Sequence, residues 1–407
     1  MIGFELRRTS VVVVGGLSLV VGAALLVSFP QGFAGRWLQL AVAVRLLLVF
    51  LFPVALAGGA ALGRREARAG VGELFASTPR PRSHRLLVTA AALAIGLVAA
   101  YGLLFAVGAV WVVPSAGYFP LAALAVAGVG ALALVAGGWL GLAAGRAVPR
   151  FVTAPVVAVL GIFLVGMLPE WVQVGRARPR ALLLSPVFSG AIDDFATVAP
   201  RVSAVQAGWL ATLAATGLLL ATASRRAILP AVVPAVVGAA LAVQLLPLGG
   251  YAAVAVADPR AVDLVCDDRG PQVCVTRVHA ALLPGVAGPV RAALAVLAAG
   301  VPGAPTRAVE SRGPGGPPHA ADTLEFPAPP IGPTGHADLR DGTFPDLVLG
   351  AAWEQHCDPS PADAFAGRRV AVSWLRSDPG PERRRLLAEA RSAVLACDPD
   401  AFAGLLP

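Results

Sequence analysis

Long apolar stretches separated by short segments rich in Arg occupy the first 250 residues of the chain. A hydrocarbon core of about 30 Å takes roughly 20 helical residues to cross, and most of these stretches reach or approach that length. Because lipid offers the backbone no hydrogen-bond partners, each stretch must be helical. The pattern predicts seven membrane spans, near residues 11–29, 37–62, 86–113, 121–144, 151–168, 202–223 and 227–248.

From residue 251 onward apolar and polar residues are mixed as in a soluble domain. Two short β-type runs and three helical patterns are predicted, at residues 262–265, 273–278, 280–299, 344–357 and 381–397. The stretch 313–335 is too rich in Gly and Pro for regular structure and is expected to be a loop between two lobes. The predicted fold class is therefore an all-α polytopic membrane bundle, residues 1–250, followed by a small α+β extracytoplasmic domain, residues 251–407.

Composition agrees with a membrane protein, since 57% of the residues are apolar and only 14% are charged. Soluble proteins have roughly half apolar and a quarter charged residues. The net charge of +8 is unevenly distributed: residues 1–250 hold 18 Arg against 6 acidic residues, whereas residues 251–407 hold 14 Arg against 18. The excess Arg lies between hydrophobic segments, where it orients a membrane protein. The charge is therefore no argument for binding nucleic acid.

Arg residues alternate between the loops and predict an orientation, because cytoplasmic loops carry an excess of basic residues. The loops assigned to one side, the expected cytoplasmic side, contain twelve of them: Arg7, Arg8, Arg64, Arg65, Arg68, Arg80, Arg82, Arg85, Arg146, Arg150, Arg225 and Arg226. The N-terminus is then cytoplasmic, and the C-terminal domain lies outside a cell membrane. The first span is expected to stay uncleaved, since no A-x-A-like site follows it.

All four cysteines lie in the domain that the charge pattern assigns to the outside. Disulfides persist in such oxidising compartments, and four cysteines allow three connectivities. Cys266 and Cys274 are the favoured pair, because the turn-forming residues between them separate two β-type runs. Cys357 would then pair with Cys397.

Neither a metal site nor an enzyme is indicated in this domain. It contains four histidines, His279, His319, His336 and His356, but no C-x-x-C or H-E-x-x-H spacing. Ser189 lacks the first glycine of a nucleophile elbow. The chain contains no Lys at all, so it cannot form a P-loop, whose Lys reaches the nucleotide phosphates. No cofactor and no catalytic residue is expected.

Arg45 lies within the second apolar stretch, where a charge is by default a candidate functional residue. We expect it instead near the outer interface, where its guanidinium can snorkel to water and Trp37 marks the same boundary. Pro53 should kink this span. The helix faces are nearly uniform in Ala, Val, Leu and Gly, so no polar stripe marks a translocation path.

The loop at residues 63–85, after the second span, combines a charged start with apolar residues at helical spacing. These features predict a short amphipathic helix parallel to the membrane. Such a helix can rest on anionic lipid through its Arg residues, or it can contact a partner protein.

This loop resembles the coupling helix of type-2 ABC exporter permeases, in which an E-x-x-x-G-x-x-E-L-L-x-x-T-P-type segment contacts a separate ATPase. The positions that carry the resemblance are Glu66, Arg68, Gly70, Glu73, Leu74, Phe75, Thr78, Pro79 and Arg80. The opening segment 4–8 is similar to the amphipathic start of that family, and some actinobacterial members are similar in having an external C-terminal domain with a V-C-type segment, here Val273-Cys274. The resemblance covers about 250 residues.

The resemblance implies a permease subunit that a separate ATPase drives and that pairs with a second permease chain, identical or different. Family members usually have six spans and a cytoplasmic C-terminus, whereas this chain is predicted to have seven and an external one. A membrane-anchored sensor or structural protein that presents the external domain is the alternative. A membrane-anchored extracytoplasmic hydrolase is a third reading, which no motif favours.

Overall fold

A computed structural model describes most of the chain, and it divides into two units. The described residues are 9–68, 82–167, 183–187, 192–223, 227–248, 253–312, 320–354, 364–377, 379–396 and 398. The first unit consists of Met1–Val113 and Phe119–Ala257, and the second of Pro114–Tyr118 and Asp258–Pro407. The loop 114–118, although it lies between two helices of the first unit, thus belongs with the C-terminal domain.

The first unit is a bundle of apolar helices. In chain order they are α1 Thr9–Leu26, α2 Trp37–Leu46, α3 Leu48–Gly63, α4 Arg65–Arg68, α5 Arg82–Val112, α6 Leu121–Ala147, α7 Thr153–Ile162, α8 Pro200–Thr222 and α9 Ile228–Leu245. A π-helical segment, Phe163–Met167, continues α7. Two short strands, β1 Ala196–Val198 and β2 Ala255–Ala257, pair antiparallel and join the segment before α8 to the segment after α9.

Several helices of the described chain are long and apolar enough to cross a membrane, which confirms the prediction of a polytopic helical bundle. By length and composition they are α5, α6, α8, α9 and the segment Arg277–Gly300 of the second unit. Helices α2 and α3 together form a sixth candidate, a span broken in the middle. The predicted first and fifth spans correspond to shorter apolar helices, Val12–Leu26 and Thr153–Met167. The count of seven stays a prediction.

The second predicted span is bent by 49° between α2 and α3. The break lies at Leu47 and not at Pro53, where the sequence suggested a kink; α3 continues through Pro53. A proline ring displaces the carbonyl four residues before it. The carbonyl four residues before Pro53 is that of Val49, in the first turn of α3. The distortion caused by the proline ring therefore falls at the start of α3, close to the break.

Helices α3 and α6 approach each other so closely that their backbones touch. The four closest approaches pair Gly59 with Gly138, Gly63 with Leu142, Gly141 with Leu56 and Gly145 with Ala60. At Gly141 an added Cβ would lie only 2.0 Å from the Leu56 carbonyl oxygen. Small residues four positions apart are the usual means by which membrane helices pack this tightly. This four-residue spacing of small residues is visible in the sequence.

Two contacts between loops show which loops lie at the same end of the bundle. Arg36, before α2, forms a 2.6 Å ion pair with Asp194, before β1. Arg64, after α3, donates a 3.5 Å hydrogen bond to the carbonyl oxygen of Arg150, before α7. An even number of the predicted spans separates the two members of each pair, as two loops on one side of a membrane require. The assignment of one end to the cytoplasm stays a prediction.

The second unit is an α+β domain built on a four-stranded sheet. The strands β3 Leu264–Asp267, β4 Val273–Thr276, β5 Arg307–Glu310 and β6 Thr323–Phe326 lie side by side in this order. The β3–β4 pair is antiparallel, and the other two pairs are parallel. The helices are α10 Leu283–Gly300, α11 Phe344–Gly350, α12 Ala364–Arg376 and α13 Pro381–Leu395. Helix α10 is the crossover between the parallel strands β4 and β5.

A single hydrophobic core unites this domain, and two expectations about it were wrong. The segment 313–335 was expected to lack regular structure, but β6 lies inside it because Leu324 and Phe326 are buried against the core. Nor does that segment separate two lobes, since buried residues from both sides of it, such as Val275 and Trp353, belong to one cluster. Helix α12 was not predicted at all, whereas α13 agrees closely with the predicted helix at 381–397.

Candidate functional site

The predicted coupling segment begins directly at the end of α3. Glu66 and Arg68 lie in the short helix α4. Gly70, Glu73, Leu74, Phe75, Thr78, Pro79 and Arg80 lie outside the described residues, so their predicted role is neither supported nor contradicted.

The start of this segment is fixed to a second helix. An added Cβ at Gly63, the last residue of α3, would lie 2.3 Å from the carbonyl oxygen of Leu142 in α6. The next residue, Arg64, donates to the carbonyl oxygen of Arg150 in the loop after α6. A force on the residues after Arg64 would therefore act on α3 and α6 together.

A buried polar cluster lies inside the bundle around Arg45. This arginine, near the end of α2, is 0% exposed. Its Nε donates a 2.9 Å hydrogen bond to the carbonyl oxygen of Pro186, and its Nη2 donates a 2.8 Å bond to Oε1 of Gln206 in α8. Gln206 is 2% exposed and donates in turn to the carbonyl oxygen of Leu183, at 2.9 Å. The expectation that Arg45 snorkels at an interface is wrong, because protein groups surround its guanidinium and hold it.

Tyr101 of α5 contributes a further buried polar group. It is 3% exposed, and its hydroxyl has no hydrogen-bond partner within the described part of the chain. The hydroxyl lies against Gly130 of α6, where an added Cβ would be 2.0 Å away. Polar groups inside a membrane bundle are costly and commonly functional, so the absence of a polar stripe in the sequence did not mean a purely apolar interior.

A disulfide joins Cys266 to Cys274 in the second unit, as predicted from the turn between them. The two residues face each other across the β3–β4 hairpin, with their Cα atoms 4.0 Å apart. Cys357 and Cys397 lie outside the described residues, so their pairing stays a prediction.

Charged side chains tie this hairpin to α10. Arg291 of α10 donates to the carbonyl oxygens of Pro271 and Asp267, at 3.1 and 3.0 Å. The Asp267 carboxylate accepts hydrogen bonds from Arg269 and, to a smaller extent, from Arg291, and these bonds lower its pKa to about 2. The carboxylate therefore stays charged at neutral and mildly acidic pH, and only acid near pH 2 would remove its contribution to the hairpin.

Thr276, His279 and Glu310 form a second buried cluster, at the ends of β4 and β5 in the C-terminal domain. They are 0%, 3% and 0% exposed. Oε2 of Glu310 accepts bonds from the backbone N–H and the hydroxyl of Thr276, both at 2.7 Å, and its Oε1 lies 2.5 Å from Nδ1 of His279. The two bonds from Thr276 have ordinary hydrogen-bond lengths. The cluster joins β4, the turn after it and β5, so it holds the two central strands in place.

The metal hypothesis for these histidines finds no support in the described part of the chain. No group of three or more His, Cys, Asp or Glu side chains that could hold an ion occurs there. His279 is engaged with Glu310, and Nδ1 of His336 lies 3.1 Å from the carbonyl oxygen of Thr334. His319 and His356 fall outside the described residues. Sequence reasoning missed Glu310, because a glutamate that ends a four-residue strand carries no signal of burial.

Comparison with known protein families, with characterised proteins and with solved structures finds no match to this chain. Its function must therefore be argued from its own residues.

Proposed function

We propose that this chain is the permease subunit of an ABC-type transport system in a cell membrane. A separate ATPase subunit docks on the loop at residues 63–85, and its ATP-driven closure moves the helices. The chain itself does not hydrolyse the ATP by a P-loop mechanism, because without a Lys it can form no P-loop. The N-terminus is cytoplasmic and the C-terminal domain extracytoplasmic, where it contacts substrate or an external partner.

One observation carries the proposal: the segment that resembles a coupling helix starts where α3 is locked to α6. The contacts of Gly63 and Arg64 make this end of the two helices one mechanical unit. A partner that pushes on Glu73, Leu74 or Phe75 therefore has a rigid pair of helices to move. The buried polar groups around Arg45 also favour a solute path over a passive anchor.

The test is co-purification of the chain with the products of its neighbouring genes, among which the proposal expects an ABC ATPase. We expect wild type to retain the ATPase, and the triple variant Glu73→Ala, Leu74→Ala and Phe75→Ala to lose it, since the apolar and acidic contacts of the loop are gone. The matched control replaces Arg225 and Arg226 by Ala in another predicted cytoplasmic loop and should retain the ATPase. Retention by the triple variant would refute docking at this loop.

The alternative, a membrane-anchored sensor, predicts that no ATPase binds and that nucleotide changes nothing. Nucleotide-stimulated turnover of the complex in proteoliposomes separates the two. An ATPase that co-purifies with wild type but shows the same turnover with and without this chain would favour the sensor.

The proposed orientation of the chain in the membrane is tested separately, by labelling cysteines. Cys266 is exposed on the hairpin, so after reduction of its disulfide a membrane-impermeant maleimide should label it on intact cells, as mapped by mass spectrometry. A cysteine introduced at Ser77, in the predicted cytoplasmic loop, should react only after the cells are permeabilised. The opposite labelling pattern would show that the assigned orientation is inverted.

A further inference from the structure

Helix α10 of the C-terminal domain is apolar on both of its faces. The inward face packs into the core of the domain through Val286, Val290, Leu294 and Leu297. We define the outward face by five exposed residues: Gly288, Ala292, Ala295, Val296 and Ala299. By length and composition the segment Arg277–Gly300 could cross a membrane, although α10 packs on a sheet. A helix that is apolar all round is normally covered on every side, so the outward face calls for an apolar partner.

Arg291 is the only polar or charged residue of α10, and it is engaged with the β3–β4 hairpin. Its guanidinium donates to two carbonyl oxygens of the hairpin, and its Nη2 lies 3.2 Å from Oδ2 of Asp267. Exposed charged side chains do occur on α12 and α13, among them Arg369, Arg383 and Arg385. Those two helices face water in the ordinary way, whereas the outward face of α10 carries no side chain that binds water.

The start of α10 lies close to the ends of two candidate membrane spans. The loop 114–118 joins α5 to α6 and belongs to the second unit. An added Cβ at Gly117 would lie 2.0 Å from the carbonyl oxygen of Arg277, which opens the turn that leads into α10. The Tyr118 hydroxyl also donates a 2.9 Å hydrogen bond to Oδ2 of Asp258. Because only a few residues, each spanning at most about 3.6 Å, separate Gly117 from α5 and α6, α10 begins beside the surface of any membrane that these helices cross.

We propose that the outward face of α10 rests on lipid, so that the domain core covers one side of this helix and the bilayer covers the other. Interfacial helices bind in this way, by burying apolar area at the boundary between headgroups and acyl chains. Lipid is favoured over a second copy of the chain, because the membrane surface is already adjacent to the start of the helix. The inference depends on the membrane bundle but not on an ATPase.

The test is the accessibility of nitroxide labels on the full chain in vesicles of phosphatidylcholine and phosphatidylglycerol. The variants Ala292→Cys, Ala295→Cys and Ala299→Cys are labelled one at a time without reductant, and wild type labelled in parallel supplies the background to subtract. Electron paramagnetic resonance measures collisions with oxygen, which concentrates in lipid, and with a nickel complex, which stays in water. We expect the oxygen-to-nickel ratio to be about tenfold higher than at Ser392→Cys, an exposed position of α13. Such a ratio corresponds to ~1.4 kcal/mol in the partitioning of the two reagents.

Val98→Cys, on the exposed side of α5, gives the ratio for a label in lipid. Ratios on α10 that equal the ratio at Ser392 would place the outward face in water and overturn the proposal. Few collisions with either reagent, or line broadening that disappears when labelled chains are diluted with unlabelled ones, would show that protein or a second copy covers the face, and would also overturn it.

Folding of each variant is checked by gel filtration and melting temperature. If the three alanine variants fail to fold, Gly288→Cys decides by the same ratio, because an added Cβ there meets nothing within 4 Å. Binding of the ATPase is measured separately by co-purification. A lipid-type ratio without ATPase binding would keep this inference and count against the proposed function, whereas ATPase binding with a water-type ratio would do the reverse.

Discussion

Replacing Gly141 by Ala should destabilise the membrane bundle, and replacing it by Leu should prevent its folding. The added Cβ would lie 2.0 Å from the Leu56 carbonyl oxygen and 2.8 Å from its carbon, and backbone atoms cannot rotate out of the way as a side chain can. The helices must separate, and the approaches at Gly59, Gly63 and Gly145 weaken with them. Overpacking a tight core costs about 1–3 kcal/mol and occasionally more. We expect the Ala variant at or above the upper end of that range.

The measurement is the melting temperature and the gel-filtration profile of the full chain in detergent. Gly128→Ala is the matched control, because it lies in the same helix and an added Cβ there meets nothing within 4 Å. The control should behave like wild type, whereas Gly141→Ala melts lower and Gly141→Leu aggregates. Equal melting of Gly141→Ala and Gly128→Ala would show that the α3–α6 contact does not stabilise the bundle.

Replacing Glu310 by Ala should loosen the C-terminal domain more than any surface change in it. The substitution leaves the N–H and hydroxyl of Thr276 and the ring of His279 buried without their shared acceptor. Each buried polar group that is left without its hydrogen-bond partner typically costs about 1–3 kcal/mol, and several groups lose theirs here. Strands β4 and β5 lose the cluster that joins them, so their protection from exchange should fall most.

Hydrogen exchange followed by mass spectrometry over residues 273–310 measures this directly. The expected loss of stabilising free energy corresponds to amide hydrogen exchange that is about two to four orders of magnitude faster. Glu389→Ala is the control, since its ion pair with Arg385 is on the surface, and such pairs contribute little. Glu310→Gln, which keeps one acceptor oxygen, should fall between wild type and Glu310→Ala. Unchanged exchange in Glu310→Ala would show that the cluster is not structural.

Local chemistry explains which parts of the fold were predictable. Apolar runs of membrane length must be helical whatever surrounds them, so the bundle could be predicted without any knowledge of tertiary contacts. The disulfide between Cys266 and Cys274 followed from a turn within eight residues. By contrast, β6 lies in a segment rich in Gly and Pro and forms because β5 lies beside it. Strand β6 therefore depends on pairing with β5, which the local sequence of β6 does not indicate.

The same distinction between local and distant contacts applies to the residues of the candidate site. The coupling-type segment was proposed because a short motif carries it, and it stays a prediction. Arg45 was singled out because a lone charge in an apolar stretch is conspicuous. The environment of Arg45 was predicted wrongly, because its hydrogen-bond acceptors, the Pro186 carbonyl and the Gln206 side chain, lie more than 140 positions away. Glu310 was not found, since its burial is set by Thr276 and His279 across the sheet.

The sequence by itself determined that this is a membrane bundle with a disulfide-bearing C-terminal domain and no P-loop of its own. Those properties depend on composition and on neighbours within a few residues, so they can be read along the chain. Only the tertiary structure decided that Arg45 is enclosed, that α3 and α6 touch through their backbones, and that the carbonyl oxygens of Leu183 and Pro186 are held inside the bundle. Each of these depends on groups distant in sequence meeting at hydrogen-bond or van der Waals distance, which no one-dimensional pattern specifies.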